Sequence, residues 1–191
     1  MGIRSGGWIR MPADKQIKRR QKSLKMLDEM IKEGRAYTRL RQSKSSKAED
    51  YHDSDLRLES LIPYVQGEKP IYVHANEVRQ IEAAIHWANR NEIKIIIVGG
   101  KDAWRTVDLL RTNNVAVIYE GVTALPNRRY EDYDQAYKGP ALLHEAGVQF
   151  CISTSGSAGG SYRVRNLPNQ AAMAAAYGCL LYTSDAADDM Q

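Results

Sequence analysis

The sequence holds only two cysteines, Cys151 and Cys179, and a single phenylalanine. Two cysteines are too few for a disulfide framework or a four-ligand structural zinc site, and they are compatible with a reducing, cytoplasmic compartment. No apolar run approaches the ~18–20 residues of a membrane-spanning helix. The longest, Ile95-Ile96-Ile97-Val98 with its neighbours, has the length of a strand. Met1-Gly2-Ile3-Arg4-Ser5 lacks the apolar segment of a secretory signal, so the expectation is a cytoplasmic protein without a membrane partner. At 191 residues the chain is also short of the roughly 250 that a complete eight-fold α/β barrel needs.

What is present is unevenly spread. Residues 1–50 carry 14 Lys/Arg against 6 Asp/Glu, whereas residues 51–191 carry 13 against 17. A basic first quarter can attract polyanions. Over residues 14–40, however, Ile17, Leu24, Leu27, Met30 and Ile31 recur at three- and four-residue steps with Lys and Arg between them, the pattern of an amphipathic helix. Lys18-Arg19-Arg20-Gln21-Lys22 has no interleaved aromatics, and acidic residues return at Asp28, Glu29 and Glu33. A solvated helix face fits that better than a nucleic-acid site. Gly34 is expected to weaken or end the helix, and the polar stretch 42–50 reads as a loop.

From Leu56 the rhythm changes. A short helical stretch ends near Gly67, and apolar strands over 70–74, 94–98, 115–118 and 148–152 alternate with helices over 77–91, 102–112 and 140–146. A long loop fills 121–138, and a last helix starts near Pro168. Strand and helix in alternation with short connections predict an α/β fold, a parallel sheet with crossover helices. The loops at the carboxyl ends of such strands carry the chemistry.

Val73-His74-Ala75-Asn76-Glu77, Val98-Gly99-Gly100-Lys101-Asp102-Ala103-Trp104 and Arg165-Asn166-Leu167-Pro168-Asn169-Gln170-Ala171 together resemble the later half of an amidohydrolase-superfamily barrel, most nearly its imidazolonepropionase-like branch. The resemblance covers most of residues 56–178. It implies a partial (β/α)8 TIM-type barrel, holding strands five to eight, with the basic helix packed outside. It also implies a metal-dependent hydrolase that opens carbon–nitrogen (non-peptide) bonds in a small cyclic amide-type substrate. The domains so expected are 1–50, a basic helix and loop; 51–178, the barrel part; and 179–191, where Leu181-Tyr182-Thr183-Ser184-Asp185 onward is similar to a translated sequencing adaptor. Both ends then read as those of an internal fragment. An open barrel leaves sheet edges unpaired, so these residues alone are expected to be inactive, and a homo-oligomer is left open.

Carried over residue by residue, the resemblance puts His74 at the fifth-strand metal position, with a divalent metal such as zinc as the implied cofactor. The sixth-strand histidine position falls on Gly99-Gly100 and the eighth-strand aspartate position on Ser155. Zinc takes three or four N, O or S ligands, and one of the three visible positions keeps its ligand. The alternative function is therefore a catalytically inactive binding protein that kept the fold and lost the metal.

Around His74 the residues suggest a site. Asn76 and Glu77 follow it into the next loop; Glu77 suits either acid/base work or stabilisation of a helix N-terminus. Asp102 reads as a helix N-cap after the Gly99-Gly100 turn. Ser153 and Ser155 open a glycine- and serine-rich loop, and Arg163 and Arg165 beyond it could grip a substrate carboxylate bidentately. Arg128, beside Arg129, lies in a loop long enough to be functional. His52, His86 and His144 have no partner at ligand spacing and read as structural.

Overall fold

The computed structural model describes residues 13–43, 54–154 and 163–179. They belong to two compact units, Met1–Gln66 and Gly67–Gln191. In the first, helix α1 spans Ala13–Ser43, and two single-turn helices follow, α2 (Leu56–Glu59) and α3 (Ile62–Val65). Lys, Arg, Glu, Gln, Leu and Ala dominate α1, all strong helix formers. Gly34 does not end it. A Cβ there would touch Leu61 Cβ and Val65 Cγ1 at 3.4 Å, so the glycine lies where α1 packs against the α2–α3 segment. Ile31 and Thr38 are buried on the same stripe, and Thr38 Oγ1 donates to Gly34 O at 2.8 Å. Asp55 caps α2 by accepting the amides of Arg57 and Leu58.

The second unit is a four-stranded parallel sheet in the order β1-β2-β3-β4. Its strands are β1 (Ile71–Ala75), β2 (Ile95–Gly99), β3 (Ala116–Glu120) and β4 (Phe150–Ser153). Helices α4 (Val78–Arg90), α5 (Val107–Thr112) and α6 (Gln135–Glu145) cross between them, and α7 (Leu167–Ala176) follows β4. Neighbouring strands that are also neighbours in sequence, joined by right-handed crossovers, place successive helices on one face of the sheet. The register pairs His74 with Val98, Val98 with Ile118 and Ile118 with Cys151. The expected α/β architecture, a partial TIM-barrel-like sheet with crossover helices, is thus what the chain forms.

Burial separates the two faces. Ala75, Ile95, Ile97, Gly99, Val117, Tyr119 and Ile152 are buried, and with Ile81, Ile85, Ala88, Leu110 and Leu143 of the helices they make the core. On the other face Tyr72, His74 and Cys151 are exposed, Ile96, Ala116, Ile118, Glu120 and Ser153 are half-buried, and only Val98 is buried.

Three boundaries differ from the sequence reading. The helix read over 102–112 is a 3-10 turn, Ala103–Arg105, followed by α5. The third strand runs on to Glu120. Helix α6 begins at Gln135 rather than at the proline, so that Pro140 lies inside it. Tyr119 explains this: its hydroxyl donates to Ala136 O at 3.1 Å, the carbonyl that Pro140, lacking an N–H, cannot serve. Gly139 lets the ring lie there, since a Cβ would run into the Tyr119 hydroxyl.

Candidate functional site

The carboxyl ends of the four strands gather the polar residues of the open face. His74 is the fourth residue of β1 and is exposed; Glu120 ends β3 and Ser153 ends β4, registered against each other. Period-2 alternation sets all three on one side: Ala75, Tyr119 and Ile152 point into the core, so their neighbours point away. Ser153 Oγ donates to Thr154 O at 3.0 Å. The apolar run ends at Ile118, two residues short of the strand's end, and so leaves Glu120 out of the sequence pattern. The signal that could have found it is the continued alternation Ile118, Tyr119, Glu120.

Behind this rim the loops are tied by ions. Asp102 is 1% exposed. Arg128 grips it bidentately, Nη1 to Oδ1 at 3.0 Å and Nη2 to Oδ2 at 2.6 Å, and the same Nη1 also donates to Glu131 Oε1. Glu131 in turn accepts the amides of Asn127 and Arg128. Asp102 Oδ2 also accepts the amide of Val78 at 3.3 Å, and the Asp102 amide donates to Asn76 O at 2.9 Å. One carboxylate therefore joins the loops after β1, β2 and β3. Burial pushes the Asp102 carboxyl up, but the hydrogen bonds and charge of Arg128, the Val78 amide and the charge of Arg105 outweigh it, holding the carboxyl below the usual range. The same bonds from Asp102 and Glu131 push Arg128 up. Burial, with the Asp102 charge second, raises the Tyr119 phenol, which stays protonated.

Asn76 and Glu77 lie in the turn into α4, both exposed. Glu77 is the N-cap residue, and Gln80 Oε1 reaches back to accept the amides of Asn76 and Glu77 at 2.9 and 3.2 Å. Gly99, at φ +101°, leaves room for the Asn76 amide, which a Cβ would strike. Asp102, read as an N-cap, makes no side-chain cap bond to its own 3-10 turn; it serves the Val78 amide of α4 instead. Arg163 and Arg165 flank and enter the 3-10 turn Val164–Asn166, both exposed. Ser155, the loop to residue 162 and the stretch from residue 180 lie outside the described residues. The structure thus brings His74, Ser153 and the unforeseen Glu120 to one rim, and commits the Arg128 guanidinium to two protein carboxylates.

For a metal the donor set is incomplete. Among the described residues no three His, Cys, Asp or Glu side chains stand together as ligands, and the position that the resemblance gives to a sixth-strand histidine is the side-chain-free Gly99-Gly100 pair. The described residues by themselves supply fewer than the three or four such donors that a zinc ion takes. No described helix is long and apolar enough to cross a membrane.

No family model matches the chain, and no curated protein matches it. Among solved structures it is similar to an amidohydrolase from Thermotoga maritima MSB8, with a TM-score of 0.64 and 18% sequence identity over 81% of this chain. The two share a fold. The match spans 39% of the Thermotoga chain.

Proposed function

We propose that this chain is part of an amidohydrolase-type hydrolase of the imidazolonepropionase-like branch, acting on a carbon–nitrogen bond of a small cyclic amide. The observation that carries this reading is the rim of His74, Glu120 and Ser153 at the carboxyl ends of parallel strands, in a fold shared with an amidohydrolase. Active sites of such barrels sit at that end of the strands. Hydrolysis of a ring amide needs a base to take a proton from water and an acid to protonate the leaving nitrogen. The Glu120 carboxylate serves as the base, taking a proton from water, and the His74 imidazolium as the acid, giving its proton to the leaving nitrogen; both groups then reset by exchange with solvent. Arg163 and Arg165 hold an anionic group of the substrate, and Asn76 and the Ser153 hydroxyl orient its carbonyl.

The test is ring opening of a hydantoin, an imidazolone and a lactam by the whole protein of which this chain is part, followed by NMR. Turnover of at least one is expected, lost in His74→Ala and lowered by a factor of about 10²–10⁴ in Glu120→Gln. The Gly99-Gly100 pair at the sixth-strand ligand position favours a second reading, a binding protein on the same fold. Saturable binding of a cyclic amide without turnover, unchanged in His74→Ala, selects it. Neither binding nor turnover sinks both.

A further inference from the structure

We infer that Arg128 is a positioning residue of the rim: through the buried Asp102 carboxylate it fixes the turn after β1 that carries Asn76. The inference rests on the reading of that rim as a hydrolytic site, in which Asn76 orients the substrate carbonyl. The turn is held from two sides. On its own side, Gln80 Oε1 accepts the amides of Asn76 and Glu77. Across from it, in the loop after β2, the Gly100 amide donates to Ala75 O and the Asp102 amide to Asn76 O, both at 2.9 Å. The Val78 amide donates in return to Asp102 Oδ2 at 3.3 Å. Asp102 thus spans residues 76 to 78, giving a proton at one end and accepting one at the other. If its side chain moves, this bridge opens and the peptide on which the Asn76 side chain is mounted is released.

Arg128 decides where the Asp102 carboxylate stays. The Asp102 side chain is 2% exposed, and a buried carboxylate stripped of its cation must take up a proton or turn out to water. Either change weakens or ends the bond from Val78. The arginine also arrives already aimed. One oxygen of Glu131 accepts the amides of Asn127 and Arg128, and the other accepts Arg128 Nη1. Backbone and guanidinium are therefore set by the same carboxylate before the fork meets Asp102.

With both Nη atoms on protein carboxylates, Arg128 acts on the rim through Asp102 and not by gripping a substrate anion. A bidentate fork suits the task because it fixes the angle of the carboxylate as well as its place. A lysine would supply the charge alone. The path from Arg128 to Asn76 runs over the loops after β3, β2 and β1, all within one compact unit.

The experiment is amide hydrogen exchange, read by mass spectrometry, on the whole protein of which this chain is part. Wild type, Arg128→Ala and Arg128→Lys are compared with and without guanidinium ion far below a denaturing concentration. The Arg128 side chain is 29% exposed, so its removal leaves an opening that a free guanidinium ion can enter. In Arg128→Ala the amides of residues 76–78 are expected to exchange about 10- to 100-fold faster, with those of β2 unchanged. Guanidinium restores the wild-type rate there, but not in the double variant Arg128→Ala, Asp102→Asn, which lacks the charge to hold it. Arg128→Lys falls between. On any ring amide that the wild type opens, kcat/KM is expected to fall about 10- to 100-fold in Arg128→Ala and to return with guanidinium.

Unchanged exchange at 76–78 overturns the proposal, as does a rise that β2 shares equally or that guanidinium leaves in place. So does a kcat/KM that Arg128→Ala does not move. Should Arg128→Ala not fold, Arg128→Lys gives the same comparison of residues 76–78 against β2. If no ring amide is opened, the hydrolase reading fails by itself, and the exchange rates still decide whether Arg128 governs the turn.

Discussion

The Tyr119 hydroxyl stands in for the backbone N–H that Pro140 lacks. It donates to Ala136 O at 3.1 Å, four residues before the proline, where a helical amide would otherwise bond. A strand side chain thus completes a helix and sets α6 on the sheet. Replacing Tyr119 by Phe strands that carbonyl, at a cost of about 1 kcal/mol. Pro140→Ala restores an amide at the right place. In urea unfolding, Tyr119→Phe should therefore cost about 1 kcal/mol in the wild-type background and close to nothing in Pro140→Ala. Equal costs in both backgrounds would show that the hydroxyl acts elsewhere.

The Asp102 carboxyl is lowered in the folded chain. Its pairing therefore contributes stability that is complete above the unfolded-state value of about 3.9 and is lost as pH falls through the lower folded value. Asp102→Asn should be less stable than wild type at pH 7, and the gap should close in the acid range. Thermal melts between pH 2 and pH 7 give the comparison. A gap that is constant with pH removes the ionic account of the clamp.

At Gly99 the φ of +101° and the nearby Asn76 amide act together. Gly99→Ala adds both a strained backbone and a collision, together about 1–3 kcal/mol. Chemical denaturation should show that loss, and Asn76→Ala in the same chain should recover the part due to collision.

Gly34 contrasts with it. Its conformation is helical and an added methyl meets Leu61 and Val65 at 3.4 Å, an ordinary contact. Gly34→Ala should stabilise α1 by about 0.5–1 kcal/mol, read as higher helicity and a later transition by circular dichroism. Destabilisation would mean that α1 and the α2–α3 segment cannot yield even a few tenths of an ångström.

The same particulars show what the sequence could and could not convey. Strand and helix order was legible because Ile95, Ile97, Ile81 and Ile85 repeat with the periods of their elements, and those periods report burial directly. The start of α6 was not legible, because Gly139 and Pro140 are locally helix breakers and the compensation comes from Tyr119 in another element. The clamp was hidden for a related reason. Asp102 and Arg128 are 26 residues apart, and neither residue type nor spacing distinguishes a buried pair from a cap and a surface arginine. The place of His74 near the end of a strand is legible in the apolar pattern; that of Glu120 is not, because the apolar run stops two residues before it. Lengthening that strand by one alternation would have placed both carboxylate and imidazole on the same face.

The sheet order β1-β2-β3-β4 has one more consequence. Among the described strands each pairs with its predecessor and successor along the chain, so each of these ladders closes a loop of one βα unit. Loops of that size cost little entropy to close, and local topologies fold fast. During synthesis, which proceeds from the N-terminus at ~5–20 residues per second, β2 can dock on β1 before β3 exists. The sheet is built for growth by addition as it leaves the ribosome.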